Sequence, residues 1–245
     1  KHFPNLLGEP LTKEELDLIA RVDVYTIYYC TDTKPLAWYD EATDTMKGAL
    51  VDACNQITEN TGLKITVRPY WEKPEENHAT TIRYTTLFYN TNSDISNVPG
   101  VTDALIDEPF NLFRKSGENL DMNFDGYQIA IVKNRNKMED YIRETYPDCN
   151  VVIYDSPAEC IKKLEAGKVD MAYLNVHVAD NVLTELSIDD IRELAASETT
   201  HGIGMIFEGE DKELLESIVN KGIQKMDYTA ISDAMVQYAL TTRET

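Results

Sequence analysis

Two stretches of the sequence read as strand, helix, strand. In the first, "VYTIYY" (Val24 to Tyr29) is rich in β-branched and aromatic residues and predicts a strand. Gly48 to Asn60 then carries apolar residues at 50, 51, 54 and 57, the spacing of one helical face, and Gly62 stops it before the strand "LKITVRPY". In the second, "NVVIY" is a strand and Ser156 is an N-cap. Pro157 stands at the first helical position, Glu159 completes a capping box, and Gly167 ends the helix before "VDMAYL". A helix between two strands lets them pair in parallel. The chain is therefore expected to be α/β with largely parallel sheets, and two such units, Val24 to Val67 and Val151 to Leu174, suit two lobes.

The remaining segments fill in around these units. "TKEELDLIA" opens with a capping box, Thr12 to Glu15, and predicts a short helix. "KPLAWYDEATDTM" reads as a loop with a turn near Asp44. Signals weaken from Trp71 to Asp107, where "TTIRYTTLFYNT" looks extended; "EPFNLFRK" and "YQIAIV" are strands. A helix is expected from Asn136 or Lys137 to about Glu144, with others near 176–186 and 188–195. "GIGMIF" is a strand, and Lys212 to Met226 and Ala230 to Leu240 are helices.

A net charge of −20 speaks against nucleic acid as a partner, because binding phosphate needs clustered Lys and Arg. The four cysteines show no C-x-x-C spacing and the four histidines are scattered, so no metal motif is present. Cys54 and Cys160 lie on apolar helix faces and are expected to be buried and unpaired. "DMNFDG" (Asp121 to Gly126) copies half of a calcium-binding loop. However, Val132 stands where a bidentate glutamate is needed, so a turn is expected. No nucleotide, hydrolase or metalloprotease motif occurs, and no cofactor is implied. No run of about 18 apolar residues is present. The chain begins at Lys1 and not Met, so export or anchoring segments of the parent protein are expected to lie outside it.

"KPLAWYDEATDTMKGALVDACNQITENTGLKI" resembles the opening of the type II periplasmic solute-binding proteins, family 3, through Pro35, Trp38, Gly48, Val51, Asp52 and Thr61 to Leu63. "YDSPAECIKKLEAGKVDMAYLN" is similar to the matching unit of that family's second lobe, and "LDMNFDGYQIAIVKN" to the strand that opens it. "GIGMIFEGEDKELLESIVNKGIQKM" is similar to its return strand and closing helix, and "LTKEELDLIA" to versions used as extracytoplasmic sensor modules. The resemblance implies a two-lobe Venus-flytrap fold with two hinge crossings, near Glu108–Phe113 and Ser197–Ile203. It implies an N-terminal extension and capping helix at 1–18, lobe 1 at 19–109 plus 200–245, and lobe 2 at 110–199, with the C-terminal helix on lobe 1.

The sequence departs from the amino-acid-binding pattern at the ligand contacts. "LFYNTNSDISNV" lacks the carboxylate-clamping Arg, "KNRNKM" stands in place of Gly-Thr, and Asn175 replaces the Asp that takes an ammonium. By position, Trp38, Trp71, Asn90, Thr91 and Asn92 would face Asn134, Arg135 and Asn175 across the cleft. Trp38 and Trp71 could equally be packing residues, Arg135 a solvated helix-start residue and Asn175 a strand-end turn amide. Such a site suits a neutral polar or weakly anionic small molecule better than a zwitterion. The implied function is non-catalytic sensing outside the cytoplasm. The parent would be a bacterial membrane signalling protein, tethered through segments beyond this chain and compatible with a dimer. The alternatives are the binding component of an ABC uptake transporter and, third, an enzyme of cyclohexadienyl-dehydratase type on the same fold.

Overall fold

The computed structural model describes residues 8–74, 82–85, 87–90, 97–117, 123–133, 138–194 and 198–244; for 82–85, 87–90 and 242–244 it describes the backbone only. Helix α1 (Lys13–Arg21) precedes β1 (Val24–Tyr29), and three short strands follow: β2 (Asp32–Thr33), β3 (Ala37–Asp40) and β4 (Thr45–Lys47). Next come α2 (Ala49–Thr61), β5 (Ile65–Pro69), a 3-10 turn (Tyr70–Glu72), β6 (Ile82–Thr85) and β7 (Leu87–Asn90). The long β8 (Ile106–Lys115) leads to β9 (Gln128–Val132), α3 (Met138–Thr145), β10 (Asn150–Tyr154), α4 (Pro157–Glu165), β11 (Met171–Asn175) and α5 (Val176–Glu185). β12 (Ile191–Glu193), β13 (Thr199–Ile206), α6 (Lys212–Ile223) and α7 (Tyr228–Glu244) complete the chain.

The strands of the first unit, β1 and β5, pair in parallel, and those of the second, β10 and β11, each pair in parallel with β9 between them. β1 is flanked by β5 and β6, and β9 by β10 and β11. β8 and β13 run antiparallel to each other between the two halves, in a sheet ordered β10-β9-β11-β8-β13-β7. The apolar residues divide accordingly. One cluster joins α1, β1, α2, β5 and α6, and two smaller ones lie on opposite faces of β9 and β11. The architecture is thus two α/β lobes with two crossing strands.

The local signals work as the sequence implies, with informative exceptions. Thr12 Oγ1 accepts from the Glu15 N–H at 3.2 Å, but the Glu15 carboxylate does not return to the cap. It is buried against α6, where Lys221 Nζ donates to it at 2.6 Å and Ser217 Oγ at 3.2 Å. Gly48 precedes α2 with φ +131°, and a Cβ there would lie 2.1 Å from the Leu36 carbonyl oxygen, so only glycine fits. Ser156 Oγ accepts from the Glu159 N–H at 3.1 Å, and the Glu159 carboxylate reaches Asp155 N–H one residue early. Cys54 and Cys160 are buried and neither is in a disulfide, and burial pushes the Cys54 thiol pKa up.

Two expectations are corrected. "KPLAWYDEATDTM" is not a plain loop but carries β3 and the start of β4, which with β2 just before them form a small antiparallel sheet, with Asp44 at φ 50° in the turn. Within the helix expected at 188–195, the described residues 188–194 are not helical. Ile191–Glu193 extend and pair with β8, placing Ile191 opposite Lys115 and burying it, and this tertiary pairing overrides the local helical period.

Candidate functional site

The register of the crossing strands builds the site. Antiparallel partners share a face and alternate residues share a face. β8 and β13 pair Ile106 with Ile203, Glu108 with His201, and Phe110 with Thr199; β11 pairs Asn175 with Phe110 and Tyr173 with Leu112. Glu108, Phe110, His201, Tyr173 and Asn175 therefore lie on one face of the sheet where the lobes meet.

His201 is fully buried. Its Nε2 is 2.6 Å from the Tyr173 hydroxyl, which also meets the Thr199 hydroxyl. The imidazole stands edge-on to the rings of Phe110 and Tyr141, both at 4.8 Å. Burial lowers its pKa to about 4, so the ring is neutral at neutral pH, and burial raises that of Tyr173.

Glu108 is 4% exposed. Asn175 Nδ2 donates to its Oε1 at 3.2 Å, and His177 Nε2 is 3.8 Å from Oε2. Burial pushes its pKa up to about 7, the Asn175 bond opposes that, and Asp107 adds to it. The Asn175 amide is committed on both sides, because its Oδ1 also accepts the Val178 N–H at 3.0 Å as the N-cap of α5.

Two cavities flank this pair. The cleft holds about 80 Å³, lined from the first lobe by Tyr29, Thr33 and Leu36 and from the second by residues including Val132, Tyr173 and Asn175. That is well below the roughly 300 Å³ at which small-molecule pockets usually begin. The second, of about 570 Å³, is a groove between α5, α7 and β8, with Glu108 among its lining residues.

Of the positions expected from sequence, Asn175 lines the cleft. Trp38 packs edge-on against Tyr238 of α7 at 4.9 Å, with Lys34 Nζ 5.1 Å from its ring. Trp71 is half exposed and stacks edge-on with Tyr39 and Tyr70. The Asn90 backbone pairs with Ile203; Thr91, Asn92, Asn134 and Arg135 lie outside the described residues. Sequence reasoning missed Glu108, Tyr173 and His201. The available signal was a lone acid or imidazole at an inward position of the strands "EPFNLF" and "THGIGMI".

No family model and no curated protein matches the sequence. Among solved structures the chain is similar to the Bordetella pertussis BvgS periplasmic VFT2 domain. The identity is 15% and the TM-score 0.70, over 94% of this chain and 99% of that one. A histidine kinase sensor domain with similarity to periplasmic binding proteins matches at 16% identity and TM-score 0.68, over 89% of this chain and 96% of that one. The arginine-, lysine-, histidine-binding protein ArtJ from Geobacillus stearothermophilus matches at 13% and 0.64, over 89% and 94%. The chain has the Venus-flytrap fold. In the flytrap, the Tyr173–His201–Glu108 face lies at the hinge and the 80 Å³ cavity lies between the lobes.

Proposed function

We propose that this chain is an extracytoplasmic small-molecule-binding domain that acts as the sensing part of a bacterial membrane signalling protein. The moving bodies are residues 19–109 plus 200–245 and residues 110–199, with 1–18 as an extension held by α1. The observation that carries the sensor reading is the seat of α7. It is fixed to α2 by the Tyr238 hydroxyl, which donates to Asp52 Oδ2 at 2.7 Å, and its other side faces α5 of the second lobe across the groove. A change in lobe angle alters that groove and so is felt by the C-terminal helix.

The cleft ligand is a small neutral polar or weakly anionic molecule that meets Tyr173, Asn175 and His201 when the lobes open. Neither an arginine clamp nor an ammonium-accepting aspartate is among the described cleft residues. The reading is non-catalytic. Glu108 is engaged with Asn175 and His201 with Tyr173, so each of these groups already has a partner within the chain. An uptake-transporter role is the second reading, favoured by the likeness to the substrate-binding protein of an amino acid ABC transporter.

A thermal-shift screen over small metabolites, followed by calorimetry, tests the proposal. Neutral polar or weakly anionic compounds are expected to raise the melting temperature; glutamate, glutamine, arginine and histidine are not. Tight stoichiometric binding of any of these four, lost in Asn175→Ala, would overturn the ligand class and favour the transporter reading.

A further inference from the structure

We propose that the groove between α5, α7 and β8 is a second ligand site, which takes a small organic ammonium ion with an apolar body. It rests on the groove alone and stands whether or not the cleft holds a ligand.

Size and lining point the same way. About 570 Å³ is within the range of small-molecule pockets and several times the cleft volume. One wall is apolar: Ile231, Met235, Val236 and Leu240 of α7 face it, and Val236 and Leu240 remain 57% and 42% exposed. The opposite wall and floor are acidic, with Asp107 and Glu108 on β8 and Asp180 on α5. No Lys or Arg lines the groove among the described residues. Glu108 is the decisive group. More than nine-tenths of it is buried, yet among the described residues no cation reaches it within hydrogen-bond distance, His177 Nε2 standing at 3.8 Å. A buried carboxylate without a counter-ion is costly, and a cation in the groove removes that cost. The Tyr228 ring at the α7 end offers a further face to an ammonium group. An anion would meet three carboxylates, and a neutral ligand would leave Glu108 as it is.

The position also gives the site a consequence. Glu108 Oε1 holds Asn175 Nδ2, and Asn175 caps α5 and lines the cleft. A ligand that draws on the Glu108 carboxylate acts through that amide on the cleft and, by spanning α5 and α7, on the angle between the lobes. Binding is linked to protons, because an ammonium ion favours the ionised carboxylate. Affinity is expected to rise as pH rises through about 7, the value to which Glu108 is pushed. The other groups facing Glu108 are Asp107 on its own strand, His177 and Asp180 on α5, Tyr228 on α7, and His201 opposite it on β13.

The test uses the whole chain labelled with ¹³C at its methionine methyls. The probes are phenethylamine, its neutral analogue 2-phenylethanol and its anionic analogue phenylacetate. The Met235 signal, assigned with Met235→Leu, is expected to move saturably with phenethylamine and little with the other two. Binding should weaken about tenfold or more in Glu108→Gln and less in Asp180→Asn, at an exposed position. The proposal fails if 2-phenylethanol binds as tightly as phenethylamine, if Met235 does not respond to phenethylamine, or if both variants keep wild-type affinity.

Discussion

Two buried glutamates, Glu15 and Glu108, face opposite circumstances. Glu15, 2% exposed, is held by Lys221 at 2.6 Å and by Ser217, and so ties α1 to α6. Glu108, 4% exposed, has one amide at 3.2 Å and, among the described residues, no cation within hydrogen-bond reach. Equal burial therefore has unequal meaning. A carboxylate with a buried ammonium partner is a fixed clasp. A carboxylate with an amide partner is poised to change its proton or acquire a ligand, and it lies at the hinge, where either event matters.

Removing the clasp's partner should have the largest effect. Lys221→Met leaves the Glu15 charge buried and is expected to cost about 3–5 kcal/mol, read by urea denaturation. A loss under about 1 kcal/mol would mean that the pair is solvated like a surface bridge.

The hinge should respond to pH instead. The folded Glu108 pKa of about 7 lies above its ordinary 4.5, so its contribution is fully present below 4.5 and is lost as pH rises towards 7. Burial lowers His201 from 6.5 to about 4, so its contribution is present above 6.5 and lost as pH falls towards 4. Over the shared window the two slopes oppose each other. Relative to wild type, Glu108→Gln should gain stability most near neutral pH and above, by up to about 3 kcal/mol, and uncover a rise in stability with pH. His201→Gln should uncover the reverse slope. Stability curves of the three proteins between pH 4 and 8 check this, and parallel curves would break the contrast between hinge and clasp.

Asn175→Ala removes both the α5 cap and the Glu108 partner, and should cost about 1–3 kcal/mol, more at pH 8 than at pH 5. Ser156→Ala, a cap remote from either carboxylate, should cost only about 1 kcal/mol, with no such pH dependence.

The sequence by itself determined the local architecture. Thr12, Ser156 and Pro157 start helices and Gly62 and Gly167 end them through short-range hydrogen bonds and backbone preferences, whatever the rest of the chain does. It also implied the order of the two strand–helix–strand units and the burial of Cys54 and Cys160, because period and composition suffice for both. Tertiary structure decided what depends on distant partners. Residues 191–193 became a strand because β8 offered an open edge, and an apparent loop became β3 and β4, paired with β2 before it. The Glu15 carboxylate left its own helix start for Lys221 on α6. The hinge face was hidden for the same reason. Glu108, His201 and Asn175 come from three strands, and only the registers of β8 with β13 and β11 bring them together. A residue's burial and its partner across a sheet are set by pairings that no local window of sequence contains.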